Sequence, residues 1–131
     1  MSAVDTFLAA ARSGLDRVSP PRARELQEAG ALLVDIRPFE NRQAEGEIPG
    51  AVIVERIHLE WRLAPDSEWR LPSVTADSKV IVLCNEGYSS SLAAADLQRL
   101  GLANATDLVG GFRAWAAAGL PVQTGGSPAV P

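Results

Sequence analysis

Four short runs of apolar residues recur along the chain, and segments with helical spacing of apolar positions lie between them. Each run is short for a helix and is typical of a strand buried on both faces of a sheet. The predicted strands cover residues 31–36, 51–54, 79–83 and 105–109. Strands separated by helices predict an α/β fold with a mostly parallel sheet and helices on both faces.

The segments between the strands carry start and stop signals of helices. Ser19 can cap a helix with its hydroxyl, and Pro20 suits the first helical turn, where no backbone donor is lost. Gly30 and Gly101 suit the residues that follow a helix. The predicted helices cover residues 4–15, 20–29, 39–43, 89–100 and 111–118, and residues 55–78 are predicted to form short helices and loop.

The length of 131 residues suits one compact domain. We predict a helical extension at residues 1–16, the domain at 17–122 and a disordered tail at 123–131, where Gly, Pro and Ser dominate. No apolar run approaches the roughly 20 residues of a membrane span. The first residues also lack the basic and apolar regions of a secretory signal. These features predict a cytoplasmic protein with no membrane partner.

The composition narrows the classes of ligand. The formal net charge of −4 argues against nucleic acid, which proteins bind mainly with Lys and Arg on phosphates. It also gives no long-range attraction for an anionic substrate, so any anion site must be local. The single cysteine cannot form an intramolecular disulfide. No cluster of metal ligands surrounds it in the sequence, and we predict neither a metal nor a cofactor.

That cysteine, Cys84, lies between a predicted buried strand and a predicted helix. A tight loop at this place turns backbone N–H groups inward, and the helix N-terminus adds the positive end of a dipole. Gly87 allows the loop a positive φ without steric cost. The arrangement therefore favours an anion cradle with a reactive thiolate at its mouth. The alternative is a small core residue at the end of a strand.

Four motifs resemble those of the rhodanese-like sulfurtransferases. Cys84–Ser90 resembles the family's active-site loop, Cys-x-x-Gly-x-Arg/Ser-Ser, and Val34–Pro38 its strand-ending Asp-x-Arg. Gly46–Ala51 resembles its Gly-His-Ile-Pro-Gly-Ala signature, and Gly110–Trp115 its closing Gly-Gly-x-x-x-Trp. The resemblance spans residues 17–122 with the motifs in order. It implies a rhodanese-like α/β fold with a mostly parallel five-stranded sheet.

The resemblance also implies an activity and a site. A sulfane sulfur passes from a donor such as thiosulfate to a thiol, a protein or cyanide through a persulfide on Cys84. The residues implied in substrate binding are Asn85, Glu86, Gly87, Tyr88, Ser89, Ser90 and Arg37. For Arg37 the sequence leaves two interpretations open, a cation at the pocket mouth or an ion pair that holds the loops. The oligomeric state stays open.

Three departures from the family pattern stand out. Ser89 replaces the Arg of many members, and Glu86 adds a negative charge to the loop, so thiosulfate activity is expected to be weak. Glu47 stands where the family has His, in a predicted turn, and is expected to matter little. Arg42 is predicted to be a solvated helix residue.

Two other functions compete with sulfur transfer. One is a non-catalytic rhodanese-like module that binds a partner or carries sulfur, which Glu86 and Ser89 leave open. The other is phosphatase chemistry, which needs an Arg after the loop to hold the phosphate bidentately. Ser89 and Ser90 occupy those positions, so the sequence argues against a phosphatase.

Overall fold

The computed structural model describes residues 1–131. Its helices are α1 (Ala3–Arg12), α2 (Pro20–Glu28), α3 (Phe39–Glu45), α4 (Leu59–Leu63), α5 (Ser89–Arg99) and α6 (Gly111–Ala117), with a 3₁₀ turn at Arg56–His58. Its strands are β1 (Leu32–Asp35), β2 (Val52–Ile53), β3 (Val80–Leu83) and β4 (Thr106–Asp107). These elements follow the order expected from the hydrophobic pattern.

The strands form one parallel sheet in the order β2-β1-β3-β4. This confirms the α/β fold with a parallel sheet, but the expected count of five strands is wrong because the sheet has four. Val18 makes only a single bridge beside β4, to Leu108. The next residue, Ser19, caps α2, and Pro20 has no N–H to extend the ladder. The chain therefore leaves the sheet edge after one residue.

Two buried clusters pack against the sheet. Alternate residues of a strand point to opposite faces, and Val34 and Val82 accordingly join one cluster while Leu33 and Ile81 join the other. The first contains residues of α4 and α5, and the second contains residues of α2 and α6. Helices thus cover both faces. Trp115 is fully buried in the second cluster.

The N-terminal helix α1 lies on the surface and packs along α5. Ser2 and Asp5 form a reciprocal capping box at its start. None of its residues is buried, and Phe7 is 64% exposed. The helices of the protein are all too short or too polar to cross a membrane.

The C-terminal tail makes defined contacts where its composition favours disorder. Gln123 forms an antiparallel bridge with Glu47. The N–H of Ser127 donates to Glu47 Oε2 at 3.1 Å, and the N–H of Val130 donates to the carbonyl of Ile53 at 2.8 Å. The partners of the tail are distant in sequence, so composition alone gives no sign of these contacts.

Candidate active site

Cys84 follows the last residue of β3, an interior strand, at the carboxyl edge of the parallel sheet. This edge is where ligands bind in open α/β sheets. The residue is 8% exposed, and the N–H of Gly87 donates to its Sγ at 3.2 Å. The carbonyl of Cys84 accepts from the N–H of Phe112 at 2.8 Å, which ties the loop to α6.

Gly87 shapes the loop that follows the cysteine. Its φ is +87°, a region that other L-residues rarely adopt. A Cβ at this position would lie 2.8 Å from the backbone nitrogen of Gly110. The loop can therefore close on the start of α6 only with glycine here, which gives a physical reason for the glycine of the motif.

The environment of Cys84 favours its ionised form. Burial raises the pKa of the thiol, but hydrogen bonds from the hydroxyl and backbone of Ser90, the hydroxyl of Ser89 and the N–H of Gly87 lower the pKa by more. The net effect is a pKa below the ordinary value of a cysteine. The Ser90 hydroxyl also donates to Asp107 at 2.8 Å, and it has only one proton. The backbone N–H groups are thus the dependable donors.

A pocket of about 290 Å³ opens over Cys84. It brings together most of the residues implied by the resemblance, and its walls are Ile36, Arg37, Pro38, Cys84, Asn85, Glu86, Tyr88 and Ser89. Gly87 and Ser90 do not line the pocket and are buried in the loop. Tyr88 is 62% exposed.

Arg37 lines the pocket, yet its charge is paired. Its guanidinium lies 2.8 Å from Asp35 and also donates to the carbonyl of Gly46 and, at 3.3 Å, to Asn85 Oδ1. It stacks over the ring of Phe112 at 4.0 Å. The ion-pair interpretation therefore describes these contacts, and the pocket gains little net positive charge from this residue.

Glu86 turns its charge toward α6. Its carboxylate lies 3.2 Å from Arg113 and is 59% exposed. Arg113 also pairs with Glu45 at 3.0 Å, and Glu45 accepts from Asn85 at 2.9 Å. Arg113 and Asn85 accordingly lower the pKa of Glu45 against the effect of burial. Repulsion of an anionic donor by Glu86 is therefore weaker than its position in the sequence suggests.

Arg42 and Glu47 form a buried ion pair, so the prediction of a solvated Arg42 is wrong. Their side chains are 0% and 2% exposed, with a distance of 2.8 Å between Arg42 Nη1 and Glu47 Oε2. Arg42 also donates to the carbonyl of Ser127 at 2.6 Å. Glu47, which was expected to matter little in a turn, is thus the buried counterion of this cation. Sequence reasoning missed the pair because the spacing of the two residues gives no sign that both are buried.

Four residues that support the loop were also missed. Arg12 and Arg17 donate to the carbonyl of Gly87, while Ser91 and Arg17 donate to the buried carboxylate of Asp107. Asp107 ends β4 at the same sheet edge as Cys84, and this position was its one signal in the sequence. Arg12 and Arg17 carry no local signal, because their partners are 75 and 70 residues away.

The sequence comparisons identify relatives. Residues 19–118 match the family model of the rhodanese-like domain. The chain is 36% identical over 104 residues to the thiosulfate sulfurtransferase GlpE of Pseudomonas fluorescens, a match that covers 79% of this chain and 86% of the relative. It is 33% identical over 108 residues to GlpE of Haemophilus influenzae, with coverage of 82% and 93%.

Solved structures share the fold. A Rhodopseudomonas palustris protein of unknown function, described as a possible tyrosine phosphatase, superposes with a TM-score of 0.83 at 31% identity. The superposition covers 94% of this chain and 96% of that one. The human single-domain sulfurtransferase TSTD1 superposes with a TM-score of 0.65 at 27% identity, covering 77% and 95%. With the family match spanning most of its length, the chain belongs to the rhodanese-like domain family.

Proposed function

We propose that the protein is a sulfurtransferase that carries sulfane sulfur as a persulfide on Cys84. The observation that carries this proposal is the position of Sγ beneath an open pocket, with a backbone N–H directed at it from 3.2 Å. The lowered thiol pKa supports it, because the thiolate is the nucleophile. The relatives named thiosulfate sulfurtransferase support the same chemistry.

The reaction has two displacements. The Cys84 thiolate attacks the outer sulfur of thiosulfate, a new S–S bond forms, the S–S bond of the donor breaks, and sulfite leaves with the electron pair. An acceptor thiolate then attacks the terminal sulfur of the persulfide and frees the Cys84 thiolate. The N–H donors of the loop stabilise negative charge on the sulfur at each stage. No cofactor is needed to balance the electrons.

Thiosulfate is proposed to be a poor donor. The cation on the pocket wall, Arg37, is neutralised by Asp35 at 2.8 Å, and Ser89 offers a hydroxyl where many members have Arg. A dianion therefore finds little uncompensated positive charge in the pocket. A donor of lower charge, such as the persulfide of a small thiol, escapes this disadvantage.

The test is mass spectrometry of the protein after exposure to thiosulfate and, separately, to a small-molecule persulfide. We expect a mass gain of one sulfur on the Cys84 peptide and its loss on addition of cyanide. Cys84→Ser is expected to abolish both, because a hydroxyl of similar size is not ionised near neutral pH. Ser73→Ala, an exposed change outside the pocket, serves as the control.

Each competing function gives a different result in this experiment. A non-catalytic binding module would fold normally and gain no sulfur from either donor. A phosphatase would hydrolyse an aryl phosphate in a reaction that Cys84→Ser abolishes. The structure argues against the phosphatase, because Ser90 is buried and donates to Asp107 where a phosphate-binding Arg is required.

A further inference from the structure

The two backbone polar groups of Gly87 have different partners. The N–H faces the sulfur of Cys84, and the carbonyl oxygen faces two guanidinium groups. Its N–H donates to Cys84 Sγ at 3.2 Å. Its carbonyl oxygen accepts from Arg12 Nη2 at 2.7 Å and from Arg17 Nη2 at 3.0 Å. Two cations are therefore connected to the sulfur through one residue of backbone.

Both arginines are held in place by further contacts. Arg12 Nε donates to Ser91 Oγ at 3.0 Å, and that hydroxyl donates to Asp107 Oδ2 at 2.8 Å. Arg17 contacts both oxygens of the same carboxylate, at 2.8 and 3.2 Å. The network fixes the guanidinium groups against the loop, with Asp107 fully buried at its centre.

Arg12 differs from the other cations around the loop in having no carboxylate partner. The charged groups that face the loop from the neighbouring elements form the ion pairs Asp35–Arg37, Glu45–Arg113, Glu86–Arg113 and Asp107–Arg17. The remaining titratable side chain of the loop is Tyr88, whose ring lies 5.6 Å from the Arg12 guanidinium. Arg12 thus makes no direct contact with a carboxylate and reaches Asp107 only through the hydroxyl of Ser91.

We propose that Arg12 is a positioning residue for the Cys84 loop, acting through the carbonyl of Gly87 to orient the loop and to favour an anionic sulfur. The C=O and the next N–H of a trans peptide point in opposite directions. Anchoring the Gly87 carbonyl therefore turns the N–H of Tyr88 away from the two arginines. A cation on the carbonyl side stabilises a thiolate or persulfide without occupying the pocket.

This inference deepens the proposed function and rests on it. Arg12 belongs to α1, which lies outside the family match at residues 19–118. Arg12 places a positive charge on the side of the loop that faces away from the pocket. On the pocket side, Ser89 provides a hydroxyl and no charge. The N-terminal extension is therefore part of the apparatus that makes Cys84 reactive.

The test compares Arg12→Gln and Arg12→Lys with wild type and with Arg99→Gln. Arg99 is an exposed residue at the far end of α5, so it matches the charge change at a distance from the loop. The rate of alkylation of Cys84 by iodoacetamide is measured against pH, and its midpoint reports the thiol pKa. We expect the midpoint to rise by about half a pH unit in Arg12→Gln and by less in Arg12→Lys, which keeps the charge. Arg99→Gln should match wild type.

Formation of the persulfide from thiosulfate provides the second readout. Below the midpoint, Arg12→Gln should react about threefold more slowly, as a half-unit shift predicts, and most of the loss should disappear at alkaline pH. An unchanged midpoint, or a loss equal at all pH values, would overturn the inference. A shifted midpoint without any persulfide in wild type would refute the proposed function and leave the role of Arg12 standing. Because α1 has no buried residue, these variants are expected to fold.

Discussion

Ser89 is the position at which an added positive charge is expected to increase the attraction of the pocket for an anionic donor most. It is exposed, lines the pocket and opens α5, so a long side chain here reaches the mouth without entering the core. Glu86 lines the same pocket but already has a cationic partner in Arg113 at 3.2 Å. The two departures from the family loop are therefore unequal in their effect on an anionic donor.

We predict that Ser89→Arg raises thiosulfate kcat/KM by about five- to tenfold, since one opposite charge beside a partly buried dianion contributes on the order of 1 kcal/mol. Glu86→Gln should change it by less than about twofold, because the Glu86 carboxylate is 59% exposed to solvent and already paired with Arg113. Steady-state kinetics at two ionic strengths measure both, and the gain should shrink with salt.

The control for this series is Ala103→Arg, which adds the same charge at an exposed position beyond α5. A persulfide donor of low charge should gain little from any of these variants. An equal gain with both donors, or a gain in Ala103→Arg, would show that the effect does not come from charge in the pocket.

The role of a residue was predictable from sequence where it depends on local chain geometry. The positive φ of Gly87 and the position of Cys84 at a strand end both follow from the order of strand, loop and helix. The partners of Arg12 and Arg17 could not be predicted, because hydrogen bonds across 70 or more residues leave no periodic trace. The pair of Arg37 with Asp35 was partly predictable. Both residues lie in one short motif, but the sequence also allowed Arg37 to be a free cation at the pocket mouth.

At the scale of elements, α3 and the turn after it are held by the buried pair of Arg42 and Glu47. Burial raises the pKa of Glu47, while hydrogen bonds from Ser127 and Arg42 lower it by more, so its pKa lies below the ordinary value. A carboxyl group with a lowered pKa contributes stability above its unfolded pKa and loses it as pH falls through the folded pKa. The pair therefore stabilises the protein at neutral pH and ceases to do so in acid.

We predict that Glu47→Gln lowers the free energy of unfolding by about 3 kcal/mol at pH 7, because Arg42 keeps its buried charge without a counterion. The deficit should narrow as pH falls through the lowered pKa of Glu47, where the wild-type carboxylate is itself protonated. Urea unfolding at several pH values measures this. Glu25→Gln removes the exposed pair with Arg22 and should cost less than about 1 kcal/mol; equal losses in both variants would contradict the prediction.

At the scale of the whole molecule, the apolar runs were enough to predict the parallel sheet, because a strand buried on both faces is mostly apolar. The count of strands was not predictable, since Val18 makes the bridge of a fifth strand and Pro20 then stops it. The contacts of the tail were equally hidden, because residues rich in Gly, Pro and Ser pair here through backbone groups.

Truncation measures what the tail contributes. A chain ending at residue 122 loses the contacts of Ser127 with Arg42 and Glu47, and we expect its free energy of unfolding to fall by about 1–3 kcal/mol. A chain ending at residue 127 keeps those contacts and should lose less. Persulfide formation should survive in both, since the tail does not line the pocket. Equal stability of all three chains would support the disorder predicted from composition.

The solitary cysteine has a consequence for oxidative damage. Cys84 is the only cysteine, so a sulfenic acid formed there has no second thiol in the chain to trap it as a disulfide. Rescue must come from an external thiol that enters the same pocket as an acceptor, and otherwise oxidation continues to the irreversible sulfinic acid. The supply of small thiols would then set the lifetime of the protein under peroxide, as well as the turnover of the proposed persulfide.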